Sequence, residues 1–225
     1  MSAASFSAEL RKKAEIIWRR ELEHPFVRGL GDGTLPIEHF RFYVRQDYLF
    51  LIDYCRVFAL ASAKAPDLAA MQVFSTLLHD TLFGEMQAHR DYCQRLEIPP
   101  EELERTTATP VTLGYTRHLL SVAHAGTLAD IIAAILPCQW GYAEIGRTLA
   151  ERGEPAGAPM YAEWIRTYAS AEFAAGAERL RDMFDQITAG WPRAALAPLQ
   201  THFLTSSRYE YLFWEMAYQE SDWPV

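Results

Sequence analysis

The segment Leu136-Pro137-Cys138-Gln139-Trp140-Gly141-Tyr142-Ala143-Glu144 sets a thiol, a proline and a phenol inside an otherwise apolar helical pattern. From Leu128 the apolar positions fall at Ile131, Ile132, Ile135, Cys138, Tyr142, Ile145 and Leu149. That is one stripe of a 3.6-residue helix with Cys138 and Tyr142 at its centre. Taken alone, such a cysteine reads as a small core residue. Two other stripes point toward chemistry. One runs Phe40, Tyr43, Val44, Asp47, Tyr48, Leu51, Tyr54, Cys55, Phe58, and Asp47 is its only charge. The other runs Phe203, Ser206, Ser207, Glu210, Phe213, Trp214, Ala217, and Glu210 is its only charge. An inward carboxylate is costly unless it is paired, protonated or facing a polar cavity. Each acid could be a structural one bonded to a tyrosine. Together, one nucleophile and two acid/base groups walled by aromatic rings suit covalent catalysis on a flat polar substrate. Tyr115, Tyr142 and Tyr168 lie in helical stripes, and Phe50 and Phe213 lie one turn after Asp47 and Glu210, so these five are the candidate walls.

The elements that must carry these groups all have helical period, and no Val/Ile/Thr run alternates as strands do. The pattern predicts helices over about Ser7 to Glu23, ending at His24-Pro25; Pro36 to Lys64; and Leu68 to Leu96 with Phe74, Leu77, Leu78, Leu82 and Glu85 inward. Further helices are expected from a short start at Glu101 to Arg105, from Val111 to His124, and from a capping box at Thr127 to Asp130 that opens the Cys138 helix. Pro137 is expected to bend that helix. Met160 to Ala169, Glu172 to Ala189 and Arg193 to Glu220, the last interrupted or delayed by Pro198, complete an all-α bundle of eight or nine helices in one domain.

The chain has 225 residues, is 50% hydrophobic and carries a formal net charge of −8, so it can bury a full core but offers no basic face to nucleic acid or an anionic membrane. Three cysteines without CxxC spacing imply neither a disulfide framework nor a Cys-rich metal site. No basic, apolar N-terminal leader or transmembrane run is read, and a cytoplasmic location is the expectation. Glu85-x-x-x-His89 has a metal-compatible spacing but lacks partner acids on facing helices, and reads as a surface or supporting pair. His24 reads as a dipole partner at a helix C-terminus.

The chain resembles the TenA family, also described as thiaminase II or aminopyrimidine aminohydrolase, on the haem-oxygenase-like all-α fold. The resemblance spans nearly the whole length. It is carried by Trp18 with His24-Pro25-Phe26-Val27, Gly33-Thr34-Leu35-Pro36, Phe40-x-x-Tyr43-x-x-Gln46-Asp47-Tyr48, Pro137-Cys138-x-Trp140-x-Tyr142, Trp164-Ile165-x-x-Tyr168 and Tyr209-Glu210-x-x-Phe213-Trp214. The resemblance implies that Cys138 is a nucleophile adding to a pyrimidine ring and that Glu210 exchanges a proton with a ring nitrogen. It also implies that Asp47 holds the 4-amino group, with Tyr115, Tyr142, Tyr168, Phe50 and Phe213 forming the slot. Retention of Cys138 places the chain in the cysteine-containing branch. The implied activity is hydrolysis of 4-amino-5-aminomethyl-2-methylpyrimidine to the hydroxymethyl form in thiamine salvage, with thiamine cleavage secondary, no metal or organic cofactor, and a homotetramer. One departure is Phe50, where some members carry tyrosine. Two other readings stand beside this one: a metal-dependent oxygenase using Glu85 and His89, and an aminopyrimidine-binding regulatory protein without turnover.

Overall fold

The computed structural model describes residues 5–225, and among these there is no strand. The helix at its centre is α9, Leu128–Arg152, opened by the expected capping box of Thr127 and Asp130. Ile131 through Leu136 are all essentially inaccessible to solvent. A helix buried on every side rather than along one stripe is one that other helices surround. Its neighbours are α8 (Pro110–Ala125), α10 (Pro159–Tyr168), α11 (Ala171–Thr188) and α12 (Arg193–Gln219). The long helix α4, Ile37–Lys64, lies across α8 and α9 and carries the aromatic stripe of Phe40, Tyr43, Phe50, Tyr54 and Phe58 into the shared core. Pro137 and Pro198 each lie inside helices that continue past them, so Pro198 neither interrupts nor delays α12.

The remaining helices depart from the predicted boundaries for identifiable reasons. The expected first helix breaks at Ala14 into α1, Phe6–Lys13, and α2, Glu15–Leu22. The two halves answer to different partners. In α1, the Ser7 amide and hydroxyl donate to the two Asp185 carboxylate oxygens at 2.7 and 2.6 Å, while in α2 the Trp18 indole donates to Ser207 Oγ of α12 at 3.0 Å. A helix α3, Pro25–Asp32, was not anticipated. Pro25, read as a stop, also occupies the first turn of the next helix, and Gly33 closes it with φ 74°, a left-handed conformation that suits glycine. His24 is therefore the N-cap of α3, with Nδ1 accepting from the Phe26 amide, and not a dipole partner at the end of α2.

The helix expected over Leu68 to Leu96 is divided into α5, Leu68–Asp80, and α6, Met86–Arg95, by a π-helical turn at Thr81–Glu85. A π turn adds a residue per turn and rotates the register. Leu82, expected inward, is 43% exposed, and Phe83 is 70% exposed. A short α7, Pro100–Arg105, follows before α8.

The backbones of α9 and α10 meet at Gly146. A Cβ there would stand 2.5 Å from the Tyr168 carbonyl carbon and 2.8 Å from the Tyr168 Cβ. Gly146→Ala is expected to cost about 3 kcal/mol, read as a lowered melting temperature, because backbone rather than a flexible side-chain end must move.

Candidate active site

A narrow chamber lies where α4, α9, α10 and the first turn of α11 converge. Of the eight residues singled out from the sequence, Asp47, Phe50, Cys138, Tyr142 and Tyr168 form its wall. Tyr115, Glu210 and Phe213 stand one layer behind, each touching that site. The Tyr115 hydroxyl donates to Glu210 Oε1 in a short hydrogen bond. The Phe50 ring packs on Tyr115 with centroids 5.0 Å apart, and Phe213 meets Phe50 edge-on at 5.9 Å. Tyr142 and Tyr168 cross edge to face at 4.9 Å, and the Tyr142 hydroxyl shares a hydrogen bond with Tyr43 at 3.3 Å. Such a lining presents flat aromatic faces suited to stacking on a flat ring.

The phenol absent at Phe50 has a counterpart one turn along α4. Tyr54 lines the same chamber, its hydroxyl donates to the Ile135 carbonyl at 3.2 Å, and it lies against the Cys138 thiol.

Burial pushes the Cys138 thiol well above the usual cysteine range, and the nearby Glu210 and Glu85 carboxyls push it further. Cys138 therefore rests as a thiol. Burial also raises Glu210 to about 8, with Asp47 repulsion adding to it and hydrogen bonds from Tyr115 and Cys138 opposing it. A carboxyl poised at that value can take one proton and give another near neutrality. Its position beside a thiol leaves a proton free to pass between the two groups.

Asp47 is held by His89, and of the two readings the sequence allowed for that residue the supporting one stands and the surface one does not. His89 Nε2 lies 2.7 Å from Asp47 Oδ2. The ring N–H is off-line for a well-formed hydrogen bond, so the contact is a close ion pair. His89 Nδ1 lies 3.0 Å from the Glu85 carbonyl, which can only accept, so Nδ1 carries a proton. Burial works against charge on this ring, but Asp47 and the Glu85 carbonyl outweigh it and the His89 pKa is raised. His89 is therefore a buried support for Asp47. With one ring nitrogen spent on its own helix and the other facing Asp47, the ligand pair needed by the oxygenase reading is not assembled. No group of three or more His, Cys, Asp or Glu side chains among the described residues is disposed to hold a metal.

Four further groups belong to the site, and of these the sequence marks only Glu85, as an inward position of its helix. Glu85, Gln139 and Phe173 line the chamber and also a larger outer cleft of about 1060 Å³ bounded by α5, the π turn and α11. Glu85 is raised to about 7, chiefly by burial and then by Asp47, with His89 opposing. Glu21 of α2 is the fourth. It is buried behind the site with one oxygen unpartnered, and burial together with Glu210 drives its pKa far up. The i, i+4 spacing marked Glu85 and His89, but the π turn that aims them is invisible to periodicity. Phe173 carried no signal at all.

Comparison with known proteins places this geometry among relatives. An "Aminopyrimidine aminohydrolase" of Halalkalibacterium halodurans is 49% identical over 221 residues, covering 97% of this chain and 98% of that protein. The solved structure of a TenA homologue protein from P. horikoshii OT3 superposes with a TM-score of 0.88 at 33% identity, covering 97% of this chain and 100% of that one. A domain from Shewanella denitrificans described as having a heme oxygenase-like fold superposes at 0.77 with 13% identity over 97% and 94% of the two chains, a likeness of fold alone. The model of the TENA/THI-4/PQQC family matches residues 11–220. With the match spanning nearly the whole chain, this protein belongs to the TENA/THI-4/PQQC family.

Proposed function

We propose that the chain is an aminopyrimidine aminohydrolase that converts 4-amino-5-aminomethyl-2-methylpyrimidine to its 5-hydroxymethyl counterpart, and that it cleaves thiamine as a lesser activity. The observation that carries this is the coupling of Cys138 to Glu210 beside an aromatic chamber with Asp47 on its wall. Its support from relatives is the hydrolase name borne by the 49% identical protein.

In this mechanism the pyrimidine lies between Phe50 and the Tyr142–Tyr168 pair. The Cys138 thiol adds to the ring carbon beside a ring nitrogen, and a new S–C bond forms. Glu210 protonates that nitrogen and takes the thiol proton, so its own charge is unchanged over the step. The 4-amino lone pair then expels the amine from the exocyclic methylene, the C–N pair leaving with nitrogen. Asp47, held by His89, stabilises the positive charge that develops on the 4-amino group. Water adds to the methylene and loses its extra proton to the released amine, the electron pair returns to the 4-amino nitrogen, and the thiol leaves as the ring nitrogen gives up its proton through Glu210. Tyr115 keeps Glu210 oriented throughout.

We assign the protein to the cytoplasm and to a homotetramer. No described helix is long and apolar enough to cross a membrane, and Leu68, Met71, Leu82 and Phe83 on α5 and the π turn offer apolar side chains for assembly. Light scattering of the purified protein tests the assembly. The activity is tested by chromatography of products from the aminomethyl pyrimidine and, separately, from thiamine. Ammonia and the hydroxymethyl product are expected, at a kcat/KM roughly tenfold or more above that for thiamine. Binding of the pyrimidine by folded protein without product from either compound would instead favour a regulatory role.

A further inference from the structure

Glu85 occupies a place in the molecule that the mechanism above leaves unused. It closes the π turn, and it lines both the buried chamber and the outer cleft, so it stands at the threshold between them. Its backbone carbonyl anchors His89, but its carboxyl makes no hydrogen bond among the described residues. A half-buried acid with no donor of its own calls for one from a ligand. The chamber wall carries two acids, Asp47 and Glu85, and no lysine, arginine or histidine; Asp47 is engaged by His89 behind the wall, and the cations of the outer cleft, His79 and Arg179, lie outside the chamber beside Asp80 and Glu172, so Glu85 meets a ligand in the chamber with no cation of the wall beside it.

We propose that Glu85 is the specificity residue that binds the positively charged substituent on the exocyclic methylene of the pyrimidine, preferring a primary ammonium with N–H donors, with the outer cleft as the exit of the released amine. The inference rests on the hydrolase reading and extends it to the group that leaves. The ring is held deep, by Asp47 and the aromatic walls, and a substituent projecting from it reaches the threshold where Phe173, Gln139 and Glu85 meet the cleft. An ammonium supplies up to three donors to that carboxylate, whereas a quaternary nitrogen supplies none. When the C–N bond breaks with its pair going to nitrogen, ammonia departs neutral and Glu85 is left ionised for the next substrate.

The test is equilibrium binding in a Cys138→Ala background, which holds ligand without turnover. The cationic aminomethyl pyrimidine and its neutral hydroxymethyl isostere are titrated calorimetrically with and without Glu85→Gln. Loss of a charge-assisted hydrogen bond is expected to weaken the cation about tenfold or more while the neutral compound changes by less than about twofold. Glu85→Asp, which keeps the charge, is expected to retain part of the preference. Equal losses for both compounds, or no loss for the cation, would overturn the proposal. Removing an unpaired charge does not endanger folding, and melting curves check it. If neither compound binds the Cys138→Ala parent, the hydrolase reading itself fails and this assignment with it, an outcome distinct from loss of selectivity.

Discussion

Cys138→Ala is expected to lower turnover of the aminomethyl pyrimidine on the order of 10³-fold or more, while the pyrimidine still binds within a few-fold of wild type. The separation follows from where the thiol sits. Cys138 is one wall residue among several, and the flat faces and the Asp47 carboxyl that recognise the ring belong to other helices. Removing the sulfur leaves those contacts in place but removes the only soft nucleophile on the chamber wall. Cys138→Ser is expected to be nearly as inactive, because a hydroxyl is harder still to deprotonate than a thiol already pushed upward by burial and by two carboxyls. Single-turnover kinetics beside equilibrium binding checks the point. A Cys138→Ala protein with more than about a tenth of wild-type turnover would show that water attacks directly and that the thiol is packing.

The sequence made the centre of this candidate site legible because two acids interrupt apolar stripes and a thiol lies at the centre of a third. Asp47 and Glu210 are lone charges on inward faces, and Cys138 lies beside the proline of a helix that proves to be buried all round. The helical class followed from periodicity, and the capping box of Thr127 and Asp130 located the start of α9. The supporting groups are legible only in part, for two physical reasons. His89 and Glu85 are aimed by a π turn, whose register shift has no period to detect and which exposes Leu82 where a continuous α-helix would bury it. Phe173, Gln139 and Glu21 come into place only when α11, α9 and α2 converge, and nothing local to any of them encodes that meeting. The helix α3 was missed because a proline that ends one helix can begin another, and His24 caps the second rather than the first.

Glu210→Gln is expected to lose activity by about 10²- to 10⁴-fold and to gain stability, a combination that packing alone would not produce. The amide keeps the volume and can still accept from Tyr115, but it cannot carry the thiol proton to the ring nitrogen. Wild-type kcat/KM is expected to fall about tenfold per unit above about pH 8, because an ionised Glu210 can no longer protonate the ring and its charge opposes thiolate formation at Cys138. The same titration sets the stability. An unfolded glutamate ionises near its ordinary value of 4.5, whereas the folded one keeps its proton to about 8, so this group's penalty on the folded state grows as pH rises through that window and is constant above it. Removing the titration should therefore stabilise the Gln variant relative to wild type by up to about 3 kcal/mol at neutral pH, and by nothing below about pH 4. Denaturant melts of the two proteins across that range measure the difference directly. A gap that does not change with pH would mean that Glu210 is not the buried acid the geometry makes it, and the proton shuttle would have to be sought in Asp47 or Glu85 instead.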